Sequence, residues 1–201
     1  MPRRLFAVLA LAVMTLSACS SNPQAVHANR TVGATLDDTS IQLALNRDMQ
    51  REMPGFIREM GTEVREGRVL LVGTVDTPTQ RLEASKIAWQ IRGVRDVVNE
   101  LQVAQPQGFV SYASDARISN QMRVRLLTAN SVAATNYDIE TVNGTLYILG
   151  IARTKAELEH VAYLAATISG VKRVVSHALL ADDPRRLGRP RHATTATYQY
   201  Q

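Results

Sequence analysis

Apolar side chains recur every fourth residue at Ile41, Leu45 and Met49, and again at Ile118, Met122 and Leu126, with mostly polar residues between them. That spacing predicts two helices, each burying one stripe. Asp38 and Asp115 stand just ahead of the stripes and read as N-caps. A tight turn follows each helix, Glu66-Gly67 in one case and Asn143-Gly144 in the other, and then VLLVG or LYILG. Asn-Gly favours a two-residue hairpin because both positions tolerate positive φ, so each turn is predicted to join two short strands. Thr77-Pro78-Thr79-Gln80 and Thr154-Lys155-Ala156-Glu157 then match the capping box that opens a helix. The helix buries Ala84, Ile87, Ala88 and Ile91, or Val161, Leu164, Ala165 and Ile168, and stops at Gly93 or Gly170. Val94, Val97 and Val98 carry a last strand.

The two halves superpose at one offset. Gly67 and Gly144, Gly73 and Gly150, Gly93 and Gly170, Val97 and Val174, and Asp38 and Asp115 all differ by 77. The chain is therefore two copies of one unit, 38–104 and 115–181, joined by a linker at 105–114. The predicted fold class is α+β: two tandem domains, each helix-strand-strand-helix-strand, with the helices packed on a small three-stranded sheet.

The ends of the chain follow other rules. MPRRLFAVLALAVMTLSACSS places two arginines before an apolar run from Leu5 to Met14 and then small residues. The run is too short to span a bilayer, so residues 1–18 are expected to be a signal peptide. Residues 19–37 are expected to be a polar tether. At the other end, residues 182–201 carry four arginines and little aliphatic content, and read as a basic disordered tail.

Composition narrows the chemistry. The formal charge of +5 falls to +3 without Arg3 and Arg4, leaving 21 Lys+Arg against 18 Asp+Glu, and no nucleic-acid partner is expected. Catalytic residues cannot be assembled. His27, His160, His177 and His192 lack metal-ligand spacing, and no phosphate-binding or dinucleotide fingerprint appears. Glu157 and Glu159 read as cap and surface groups, so no metal, cofactor or enzymatic activity is expected.

Binding is better motivated. On the second copy's first helix, the face opposite the buried stripe carries Arg117, Asn120, Arg123, Val124 and Leu127. Two apolar residues flanked by two arginines suit a lipid interface, the alternative being that Val124 and Leu127 pack against the other copy. The same face of the first copy, Ser40, Leu43, Asn46, Arg47 and Gln50, is an ordinary wet surface. Leu82 and Trp89 lie off the buried stripe of their helix and are expected to pack between the two copies.

Leu16-Ser17-Ala18-Cys19 resembles the lipobox of bacterial lipoproteins, and Cys19 is the one cysteine of the chain. The element order, together with G-x-V-L-L-V-G and G-V-x-x-V-x-N, resembles the BON domain, named for bacterial osmotic-stress and nodulation proteins. RTVGATLDD, QPQG and ISGVKRV agree with lipoproteins of that family. The resemblance implies cleavage before Cys19, acylation there and, with Ser20 rather than Asp following, anchoring in the outer membrane facing the periplasm. It further implies a role in envelope integrity, with anionic phospholipid such as phosphatidylglycerol docking on the first helix of the second domain. Arg123, Leu126 and Leu127 match the family's R-x-x-L-L pattern, while Arg117 stands where a tryptophan is expected. The alternative is a periplasmic adaptor that binds envelope proteins without recognising lipid.

Overall fold

The computed structural model describes residues 32–54, 60–104 and 109–186. The expected signal peptide, Cys19, most of the tether and residues 187–201 lie outside them, as do His27 and His192. Domain 1 comprises α1 (Val32–Glu52), β1 (Met60–Arg65), β2 (Arg68–Val75), α2 (Pro78–Gln90) and β3 (Asp96–Val103). Domain 2 repeats the order with α3 (Phe109–Thr128), β4 (Tyr137–Val142), β5 (Thr145–Ala152), α4 (Lys155–Ala166), β6 (Arg173–Ser176) and β7 (Leu179–Leu180).

Both first helices start earlier than their apolar stripes suggest: α1 takes up the end of the expected tether, and α3 the end of the expected linker. Asp38 and Asp115 are thus inside their helices and are not caps. Each is buried, at 5% and 6% exposure, and accepts two backbone N–H groups from the hairpin 28 residues on. Asp38 takes Glu66 and Gly67, both at 2.9 Å. Asp115 takes Asn143 at 2.7 Å and Gly144 at 2.9 Å. Both residues of each turn have positive φ, which aims consecutive N–H groups the same way and gives a carboxylate two donors at once. The helix is stapled to the hairpin by a charge.

In each domain the hairpin is antiparallel, and the last strand joins β2 or β5 in parallel. Register is conserved between the copies: Arg68 pairs with Asp96, and Thr145 with Arg173. The second sheet gains β7 because its last strand breaks at His177-Ala178 and resumes in the same register, Ile151 opposite Leu179. Alternate residues of β2 and β5 face opposite ways. Val69, Leu71 and Val75 meet α1 and α2 in one core, and Leu146, Ile148 and Ala152 meet α3 and α4 in another.

The other face of each sheet packs on its twin. Leu70 and Val72 join Tyr147, Leu149 and Val175 in a third cluster, with Val98 at its margin. Each of Leu70, Val72 and Val98 is the repeat counterpart of Tyr147, Leu149 and Val175. Glu100 and His177, also counterparts, meet at 2.9 Å, which places a pseudo-two-fold axis between them. Arg65, 4% exposed, closes one margin with a bidentate pair to Asp138 at 2.6 and 2.7 Å. The layers run helices, sheet, sheet, helices.

The stretch expected to be a disordered tail begins with an ordered strap. Arg186 crosses to domain 1 and holds the Glu66 carboxylate at 2.6 and 2.8 Å, while Arg95 donates to the Arg186 carbonyl at 2.6 Å. Glu66 offers a carboxylate where the copy-two turn has Asn143, so only the first hairpin can be clasped in this way.

The capping boxes also differ. Thr77 and Gln80 satisfy each other as expected. Thr154 accepts from Glu157 N–H, but the Glu157 carboxylate turns inward, taking Ala133 N–H and Tyr137 O–H at 3.1 Å and Arg153 Nε at 2.6 Å. Four per cent exposed, it ties the α3–β4 loop to α4 and is neither a surface group nor an acid poised for substrate. Burial and the neighbouring carboxylate push the Tyr137 hydroxyl far above its ordinary range, so it stays a neutral donor.

Candidate functional site

The outer face of α3 follows from its inner one. Ile118, Met122 and Leu126 are fully buried, and Ser119 Oγ donates to Thr141 Oγ1 at 2.8 Å, which fixes the rotation of the helix on β4. At 100° per residue Tyr112, Ala116, Asn120, Val124 and Leu127 then share an arc of about 120° on the opposite side. Tyr112 is 65% exposed, Val124 59% and Leu127 73%. Neither aliphatic residue packs against domain 1. Tyr112 was hidden from sequence reasoning because it fell in the presumed linker; a helix start carried back to Phe109 would have exposed it.

The arginines are held rather than dangling. Arg117 donates from Nη2 to the Ser169 carbonyl at 3.0 Å and from Nη1 to Gln121 Oε1 at 3.3 Å, so its charge rests against neutral oxygens at the end of α4. Arg123 reaches the Ile139 carbonyl at 2.6 Å, touches Asn120 Oδ1 at 3.5 Å and lies 3.7 Å from Glu140. Arg125 bonds to the Leu164 and Thr167 carbonyls at 2.9 and 3.3 Å. A shallow depression between Ala113, Ala116, Asn120 and Val124 lies beside these cations.

The matching face of α1 is different. Leu43 is exposed, but Arg47 pairs with Asp48 at 2.9 Å, Arg51 pairs with Glu52 at 2.7 Å, and Asn46 is bonded to Gln42 and Thr62. Its charges cancel locally.

Leu82 and Trp89 do not pack between the copies. They are 58% and 54% exposed on the outer side of α2, because the domains meet through their sheets and leave both helical layers outside. Trp89→Gln is therefore expected to change unfolding free energy by no more than about 0.5 kcal/mol, as for other surface substitutions. A loss above about 2 kcal/mol in urea unfolding would show that the indole is structural.

Among the described residues no helix is long and apolar enough to cross a membrane, and no cluster of three or more metal-ligating side chains occurs. His160 Nδ1 lies 2.8 Å from Ser131 Oγ, and His177 is engaged with Glu100.

Comparison with known proteins agrees with this architecture. The BON domain profile matches twice, over residues 37–105 and 114–181. An uncharacterised protein of the gshII 5′ region of Anaplasma centrale is 37% identical over 146 residues, 72% of this chain and 95% of the relative. Outer membrane lipoprotein DolP of Haemophilus influenzae is 29% identical over 150 residues, 73% of this chain and 76% of that one. Osmotically-inducible protein Y of Escherichia coli is 25% identical, covering 71% and 72%. With two matched copies spanning most of its length, the chain belongs to the BON domain family.

Proposed function

We propose that this BON-domain protein is an envelope lipoprotein, held by acylated Cys19 in the outer membrane on its periplasmic side, whose second domain binds anionic phospholipid through α3. The observation that carries the reading is a set of exposed apolar side chains beside an arginine that has no acidic partner among the described residues. Tyr112, Val124 and Leu127 stand out from the body beside Arg117, whose partners among the described residues are neutral oxygens, whereas the equivalent face of α1 is neutralised. A relative named as an outer membrane lipoprotein supports the location. The role is binding in support of envelope integrity, without turnover of a substrate.

Magnitudes assign the work. Partial burial of two aliphatic side chains and one tyrosine yields a few kcal/mol, and each cation near an anionic leaflet about 1 kcal/mol. That is weak attachment alone. A multiply acylated cysteine would supply residence at the membrane, and α3 would supply orientation and headgroup preference.

Co-sedimentation of the protein lacking residues 1–19 with phosphatidylglycerol vesicles tests this. Val124→Asp with Leu127→Asp is expected to reduce binding at least tenfold, and Arg117→Gln to reduce its salt dependence, with unfolding temperatures unchanged. Equal binding to phosphatidylcholine vesicles, or indifference to the aspartates, would sink the lipid reading in favour of a protein-binding adaptor.

A further inference from the structure

The repeat contains its own control for a second site. In domain 1 the groove between α2 and edge strand β3 is filled by a polar plug. Asn99 Nδ2 donates to the Arg81 carbonyl at 2.8 Å and to Ser85 Oγ at 2.6 Å, and Arg81 Nη2 donates to the Asn99 carbonyl at 3.1 Å. Adding 77 to these positions gives Leu158, Ala162 and Ser176. Leucine and alanine have no polar group to offer, and serine is too short to bridge the groove. A cleft of about 220 Å³ opens in domain 2, lined by all three.

The strand beside the cleft is itself altered. β3 runs unbroken from Asp96 to Val103, whereas its counterpart is interrupted between β6 and β7. The His177 carbonyl accepts from Arg68 of domain 1 at 2.9 Å, and among the described residues Ala178 N–H has only the Ser176 hydroxyl, at 3.4 Å. β6 and β7 form the outer edge of their sheet. The conserved register turns the Ser176 carbonyl outward as it does that of Asn99, but Leu158 has no guanidinium to cover it. The cleft therefore combines an apolar floor with uncovered main chain at a strand edge, the arrangement that receives an added strand.

We propose that the cleft between α4 and β6–β7 docks an extended peptide, which bonds to the sheet edge at Ser176 and inserts one apolar side chain between Leu158 and Ala162. Size favours this occupant: about 220 Å³ is below the roughly 300–1,000 Å³ of clefts that enclose drug-sized ligands, and suits one large side chain rather than the two chains of a phospholipid. Lys155 pairs with Glu159 at 3.5 Å, Arg185 with Asp183 at 2.8 Å and Arg68 with Asp96 at 3.2 Å, so the rim is neutralised and the anchor side chain and strand edge carry the recognition. The site is independent of the lipid-facing side of α3.

The test pans the full chain in lipid nanodiscs against a phage-displayed random nonapeptide library. The expected result is enrichment of sequences that share one large apolar residue. Leu158→Arg with Ala162→Ser and Ser176→Asn installs the plug that domain 1 already tolerates, and should weaken the selected peptides at least tenfold. Ala162→Leu, which fills the cleft without adding a polar group, should do the same if the triple variant folds poorly. Val124→Asp with Leu127→Asp should leave peptide affinity unchanged, separating this site from the lipid-binding one. No enrichment over empty nanodiscs, equal binding by the plugged variants, or saturation by decanoate with no peptide response would overturn the proposal.

Discussion

Asp115→Ala should unfold about 3 kcal/mol more easily than the parent chain, with a fall of roughly 6–12 °C in midpoint for a body of this size. The side chain is buried, and its two oxygens are the acceptors recorded for Asn143 and Gly144 N–H. Alanine leaves both donors without a partner in a turn whose positive φ angles fix their direction. Charge-assisted bonds contribute about 1.5–3 kcal/mol each, and the two are not additive because they share one carboxylate. Asp115→Asn should be intermediate, since an amide can accept one N–H but turns a donor toward the other. Asp38→Ala should behave alike in domain 1. Urea unfolding and hydrogen exchange at the Gly144 amide measure the effect, with exposed Ser114→Ala as a neutral control. A loss below about 0.5 kcal/mol would mean that the staple is incidental.

A second large effect concerns pH. Glu63 and Glu140 occupy equivalent positions in the two copies and hydrogen-bond to each other across the domain boundary. Burial, and then the nearby charges of Asp138 and Glu140, push the Glu63 carboxyl up to about 8, with Arg123 opposing. Glu140 is also raised, chiefly by burial. Two carboxylates this close cannot both ionise cheaply, so one proton stays between them. Below the ordinary value of 4.5 folded and unfolded chains are both protonated, and the pair carries no penalty. From there to about 8 the unfolded chain has released the proton while the folded one keeps it, so stability falls as pH rises through that window. Glu63→Gln keeps a donor for Glu140 and removes the titration. It should leave stability unchanged near pH 4 and raise it by about 1–3 kcal/mol at pH 8–9, allowing for partial solvent screening. Parallel stability profiles for variant and parent from pH 4 to 9 would contradict this.

The elements were legible in the sequence because their signals are local. A four-residue apolar spacing, an Asn-Gly turn and a threonine cap act within one helical turn or hairpin. Asp38 and Asp115 were misread because an aspartate ahead of an apolar stripe looks the same whether its partner lies three residues away or twenty-eight. Glu157 was drawn from its cap by Arg153 and Tyr137, and nothing within its own turn announces the latter. For Leu82 and Trp89 the error lay in choosing the docking layer. The decisive signal was present elsewhere: VLLV in β2 and LYILGIA in β5 are apolar on both strand faces, the mark of a strand covered twice. The α3 face was readable by helical geometry, but the ties of Arg117 to Ser169 and of Arg123 to Ile139 depend on which strand and helix end come alongside.

The half-turn relating the two sheets gives this molecule an obverse and a reverse. Whichever flank rests on a bilayer, its sibling must look into the aqueous compartment, so a single copy cannot lay both flanks on one leaflet. The indole of Trp89 and the ridge around Leu127 therefore look in opposite directions.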